Sequence, residues 1–204
     1  MKKLSIALLA MATAVAIAPI ASADTILTPT PGSSSVPAGT ALATVSGSAT
    51  SVGGNPYTVQ YTESVYTYNV AGDLAFVYTA KDTGGDFIDA FSTDWVPFYS
   101  NATVDNISGS GLTEVIEDIT DGSISAGFSP ALFGTNSTEF VLYTDATTYE
   151  AAPLYFQDGS QVAVDGLGPA PEPSSLFLLG TGLLGLAFLV FRKSHSASGL
   201  SLHS

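Results

Sequence analysis

The chain has 204 residues, with 18 acidic against five basic side chains, a formal net charge of −13 and no cysteine. That balance disfavours nucleic acid and anionic membrane surfaces as partners, because phosphates are held by the lysines and arginines that are scarce here. Without cysteine there is no disulfide framework and no thiolate nucleophile, so the fold rests on its core alone.

The N-terminus presents Lys2 and Lys3, then the uncharged apolar run Leu4 to Ile17, then Ala21-Ser22-Ala23. A positive head, a short apolar stretch and a small-x-small pattern predict a signal peptide over residues 1–23, cut after Ala23 by signal peptidase. A retained N-terminal anchor is the competing reading; the short apolar run and the cleavage pattern oppose it. Export sharpens the charge. Lys2, Lys3, Arg192 and Lys193 lie in the terminal segments and Glu172 beside the last of them, so 17 carboxylates face Lys81 alone.

Residues 24–40 hold Pro29, Pro31, Pro37, Gly32 and the run Ser33-Ser34-Ser35, which predict a flexible lead-in with a short strand near Ile26-Leu27. From 41 to 165 the texture is that of one all-β domain. Tyr57, Val59, Tyr61 and Val65 alternate with Thr58, Gln60, Thr62 and Ser64, the period of a half-buried strand. Leu74, Phe76 and Tyr78 alternate with Ala75, Val77 and Thr79; both faces are apolar enough to predict a central strand. Further strands are expected at Phe87–Phe91, Trp95–Tyr99, Thr103–Ile107, Ser123–Phe128, Glu139–Thr144 and Gln161–Val164. Leu112–Ile119 reads as strand or short helical turn. Short strands at this spacing predict a single antiparallel β-sandwich or jelly-roll-like domain. Gly166 to Pro173 reads as a Pro/Gly linker, with the domain ending at 165 and residues 166–170 holding it off the membrane.

Chemistry is sparse. Both histidines, His195 and His203, fall beyond the C-terminal apolar run, so Ser-His-Asp and Cys-His arrangements and the usual zinc sites are out of reach of the exported region. Lys81 reads as a solvated charge rather than half of a serine–lysine dyad. Carboxylates remain, among them Glu114 with Glu117 and Asp86 with Asp89, but a glycosidase needs two of them across a cleft. Asp82, Asp86, Asp89 and Asp94 share one glycine-containing stretch; calcium ligation is conceivable there, yet the spacing of a calcium loop is missing and turn chemistry is the simpler reading. Trp95 with Phe91, Phe98 and Tyr99 reads equally as a sugar platform or as core. Three N-x-S/T triplets begin at Asn101, Asn106 and Asn136 and are left unassigned. No cofactor and no metal is expected.

Toward the C-terminus, Pro171-Glu172-Pro173 is held extended by its prolines. Ser174 and Ser175 stand as helix caps, and Leu176 to Phe191 is free of charge, a helix at the short end of a bilayer span. Arg192 and Lys193 form a cytoplasmic stop by the positive-inside rule, and 194–204 is a polar tail. Tripeptide, glycine-bearing apolar helix and basic pair together resemble the PEP-CTERM sorting signal of bacterial envelope proteins, over residues 171–193. The resemblance implies that an exosortase, a membrane-embedded cysteine transpeptidase-like enzyme, recognises Pro171, Glu172 and Pro173 and removes the helix at 176–191. The chain departs from the family in the eleven residues after the basic pair. Asn55-Pro56-Tyr57, Ser64-Val65-Tyr66, Leu74 to Tyr78 and Leu142 to Tyr149 also resemble a domain often found ahead of this signal, one without an assigned activity.

These readings combine into one expectation. The protein is exported, held briefly as a single-pass inner-membrane intermediate, then placed at the cell surface or in an exopolysaccharide matrix as a non-enzymatic structural or adhesive component. A carbohydrate-binding module is the alternative, and a carboxylate-dependent glycan hydrolase the third reading.

Overall fold

Alternation along the chain translates into a two-layered β structure in the computed structural model, which describes residues 25–29, 35–95, 102–118, 122–134, 136–170 and 179–189. The strands are β1 (Thr25–Leu27), β2 (Ala43–Thr50), β3 (Tyr57–Thr67), β4 (Leu74–Gly85), β5 (Ile88–Asp94), β6 (Thr103–Gly109), β7 (Gly111–Asp118), β8 (Ser123–Leu132), β9 (Ser137–Tyr143), β10 (Tyr149–Asp158) and β11 (Ser160–Pro169). One sheet has the order β1-β7-β8-β5-β10-β11 and the other β2-β3-β4-β9-β6, with every pair antiparallel. The β5–β8 pair lies inside the sequence interval bracketed by β4 and β9 and sits in the opposite sheet, a nesting typical of Greek-key and jelly-roll sandwiches.

The strand predicted to be central is central. β4 lies between β3 and β9, and Leu74 to Tyr78 are buried on both faces. The ambiguous stretch at Leu112 is strand, β7, paired to both β1 and β8. Two strands had no counterpart in the sequence reading. β2 alternates Ala43, Val45, Gly47 and Ala49 with Thr and Ser, a period hidden by small side chains. Gly47 pairs with Tyr61, whose ring lies 3.1 Å from where a Cβ would stand, tighter than an ordinary contact. β10 was obscured by Pro153, which stands just before the pairing to β5 begins at Leu154, its carbonyl accepting the Thr93 hydroxyl at 3.0 Å.

The boundary expected at 165 falls later. β11 runs on to Pro169, and Gly166, Leu167, Gly168 and Pro169 are all buried. Their Gly/Pro composition reflects close packing rather than a linker. A Cβ on Gly166 would come within 2.4 Å of Leu154 Cγ, and one on Gly168 within 3.0 Å of Trp95 Cδ1.

Between the sheets, Phe91, Phe140, Phe156 and Tyr78 pack ring to ring, with Phe76 against Trp95. β3 also fastens the layers through polar side chains. The Tyr57 hydroxyl donates to the Phe156 carbonyl on β10, and the Tyr61 hydroxyl to the Asp165 carbonyl on β11 at 2.9 Å. The Tyr57 bond is buried and satisfies both partners away from water, whereas the Tyr61 bond is partly buried.

A helix, α1 (179–189), follows the domain, with exposed side chains throughout. Among the described residues no helix is long and apolar enough to cross a membrane. The expected span over 176–191 extends outside the described residues at both ends, as does the whole signal peptide.

Candidate functional site

Two places combine unusual chemistry with defined geometry: the interior around Glu63, and the junction where β11 hands over to the C-terminal segment.

Glu63 occupies the core-facing phase of β3, between Tyr61 and Val65, and is fully buried. One oxygen, Oε2, accepts the Leu167 N–H at 2.7 Å. Oε1 has no hydrogen-bond partner, nor have the Tyr78 hydroxyl or Trp95 Nε1. Tyr78, the cross-strand partner of Glu63, lies within electrostatic reach but outside hydrogen-bonding geometry. Desolvation dominates, raising the Glu63 carboxyl from 4.5 to about 8 against the opposing pull of Leu167 N–H and Tyr78. Burial, then the neighbouring Glu63, raises the Tyr78 phenol well above its ordinary value. Lys81 stands opposite Gln60 on the outward phase of the sheet and offers no counter-charge. The acid is therefore neutral at pH 7. It is shielded from solvent, which removes it from direct contact with a substrate.

At the junction, Ala170 N–H donates to the Thr148 carbonyl at 3.0 Å, so the ladder of the domain closes one residue before Pro171. Pro171, Glu172 and Pro173 lie outside the described residues, as do Ala21, Ala23, Arg192 and Lys193.

A family model for the PEP-CTERM protein-sorting motif matches residues 169–193. The chain carries a PEP-CTERM sorting signal. No curated protein and no solved structure matches the chain. The PEP-CTERM motif implies an exosortase-targeted exported surface protein that passes through a membrane-anchored intermediate before display. Its match begins at Pro169, the last residue of β11, so signal and sandwich share a boundary residue instead of being separated by a spacer.

The other candidates disperse. Asp82 is buried and caps two loops, its Oδ1 accepting Gly84 N–H at 2.9 Å and its Oδ2 accepting Gly134 N–H at 2.8 Å. Asp86 accepts the Phe87 N–H, and Asp94 accepts the Tyr155 hydroxyl. Turn and cross-strand hydrogen bonds account for these, and among the described residues no group of three or more His, Cys, Asp or Glu could hold a metal ion. Asp158 is raised by desolvation and then by Asp86 and Asp89, which marks a mutually repelling acidic corner. Phe91 and Trp95 are core, 1 % and 4 % exposed, so no sugar platform forms there; Phe98 and Tyr99 lie outside the described residues. Asn106 is occupied as a bracket, accepting Leu112 N–H and donating to Leu112 O.

Sequence reading passed over Glu63 although the signal was present: position 63 continues the series 57, 59, 61, 65 that defines the buried face. A carboxylate in a core phase marks a buried titratable group. The aromatic cluster on the outer face, Tyr66, Tyr68 and Tyr143, was also passed over, because it is assembled from strands far apart in sequence.

Proposed function

We propose that the exported sandwich is a non-enzymatic structural or adhesive component of the cell surface or its exopolysaccharide matrix. The observation that carries this reading is the PEP-CTERM motif beginning at the last strand residue, which makes the folded domain itself the cargo of the sorting signal. The acids lend support. Among the described residues, three surface grooves of about 540, 690 and 340 Å3 have as their carboxylates Asp105, Asp165 and none, respectively. A glycan hydrolase working through two facing carboxyl groups needs a pair in one cleft.

The test is processing and placement in the native host. Intact mass of envelope material should show a chain starting at Asp24 and lacking Leu176 to Ser204. Pro171→Ala combined with Glu172→Ala should leave a membrane-bound precursor and deplete surface-exposed protein. Mature surface material that still carries residues 176–191 would reduce the signal to an ordinary anchor. Turnover of a polysaccharide by the purified chain would overturn the non-enzymatic reading.

A further inference from the structure

Pairing places four residues in one row on the outward face of the β2-β3-β4-β9-β6 sheet. Tyr66 stands opposite Ala75, Ala75 opposite Tyr143, and Tyr143 opposite Thr103. The next row toward the middle of the sheet is Ser64, Val77, Val141 and Asp105. Ala75, Val77 and Val141 are buried beneath a roof of Tyr66, Ile107 and Tyr143. Tyr68 stands outside that roof and is 40 % exposed. Its ring meets Tyr143 nearly edge to face, centroids 4.9 Å apart and planes at 63°. Its hydroxyl is tied back to the Thr144 carbonyl at 3.1 Å. The two rings line one side of a groove of about 540 Å3, bordered by Thr67, Thr103, Asp105 and, from the lead-in, Pro37.

We propose that this groove is a subsite for one pyranose residue of an uncharged polysaccharide, stacked against the Tyr68–Tyr143 corner and hydrogen-bonded by Asp105 and Thr103. The proposal rests on the adhesive reading and supplies its contact. A pyranose has an apolar C–H face edged by hydroxyls, and the groove offers the matching set: aromatic faces, one carboxylate acceptor and threonine hydroxyls. Two rings packed at 63° cannot present one flat platform, which fits contact with a single sugar; a row of coplanar rings would instead support several sugars in line. The bond from Tyr68 to Thr144 holds the ring in place before any ligand arrives, so little ordering cost falls on binding.

Charge selects among polymers. With 17 carboxylates and Lys81 alone in the exported region, a uronate or sulfated chain is repelled from every side. A cationic chain would be attracted to the acidic surface at large and would need no aromatic corner. An uncharged chain is the partner for which this corner decides binding. Were the rings a dock for a protein instead, no neutral polymer would bind.

The test uses the full chain purified in detergent, run through native gels containing dextran, galactomannan or polygalacturonate and mixed with amorphous cellulose. At least one of the three neutral polymers should retard or retain it, and polygalacturonate should not. Tyr68→Ala should weaken that binding by roughly five- to tenfold, the loss of one aromatic contact. Asp105→Ala should weaken it by roughly tenfold, through a lost charge-assisted hydrogen bond. Tyr143→Phe, which keeps ring and roof, should bind almost as well as the parent. Tyr68→Ala gives up the ring contact with Tyr143 and the bond to the Thr144 carbonyl, so its melting temperature should fall by a few degrees while the unfolding transition stays cooperative and well above the assay temperature, which separates lost contact from lost fold. Binding unchanged by Tyr68→Ala, no binding to any neutral polymer, or equal binding to polygalacturonate would each overturn the proposal. Surface display, scored separately in cells, tells the two readings apart: a displayed parent that binds no neutral polymer sinks the subsite and leaves the sorting and structural reading standing.

Discussion

Glu63→Gln replaces the buried acid by a neutral side chain of nearly the same shape that can still accept the Leu167 N–H through its amide oxygen. The parent carboxyl titrates at about 8 in the folded chain against an ordinary 4.5. Its folded form holds the proton more tightly than the unfolded form does. The contribution is therefore most favourable below about pH 4.5, is lost progressively as pH rises toward about 8, and is constant above that. At about 1.36 kcal/mol per pH unit, the whole loss is roughly 5 kcal/mol, a large share of the 5 to 15 kcal/mol that typically holds a domain together. The useful window is pH 6 to 8. Ordinary carboxylates are ionised by then, and the exported region has no histidine, so Glu63 and the α-amino group are the groups left to titrate. Across that window the parent should lose roughly 2 kcal/mol, read as a fall in urea midpoint on residues 24–170 at pH 6, 7 and 8. Glu63→Gln should be nearly flat there and more stable than the parent at pH 8. A parent with equal stability at pH 6 and pH 8, or a variant with the parent's slope, would refute the assignment of a buried neutral acid.

Gly166→Ala should destabilise by roughly 1 to 3 kcal/mol or more, because its Cβ would meet Leu154, Glu63 Oε2 and the Ala152 carbonyl, all within 2.9 Å. Gly54→Ala, with nothing within 4 Å, is the control that should leave the urea midpoint nearly unchanged. Raising monovalent salt from near zero to about 0.15 M should increase the melting temperature of the same fragment, because 17 carboxylates repel across a Debye length that shrinks to about 8 Å. A far larger gain from millimolar calcium at equal ionic strength, abolished by replacing Asp86 or Asp89, would instead establish a cation site between Asp82 and Asp94.

What the chain determined by itself is what short-range pattern carries. The sorting signal is a linear arrangement of tripeptide, apolar run and basic pair, and the motif match at 169–193 needs no tertiary structure to be recognised. β class, the long alternating strand at Tyr57 and the central position of Leu74 to Tyr78 were legible because period-two burial is written in consecutive residues. β2 and β10 were not, since small side chains mute the period in one and Pro153 interrupts the other. Tertiary structure decided everything that depends on which strand faces which. Gly166 to Pro169 look like a linker in isolation and become the closing strand by pairing with β10, where Leu154 and Glu63 come too close to Gly166, and Trp95 too close to Gly168, for a side chain at either glycine. Trp95 could have lain on a surface; the opposite sheet makes it core. Glu63 owes its raised pKa to burial once the layers pack, against the lowering hydrogen bond from Leu167 about a hundred residues away on β11, and Tyr66, Ala75, Tyr143 and Thr103 become neighbours only through the register of four strands. A local pattern states which face a residue occupies, but the partner on the far side of that face is fixed only when the layers pack.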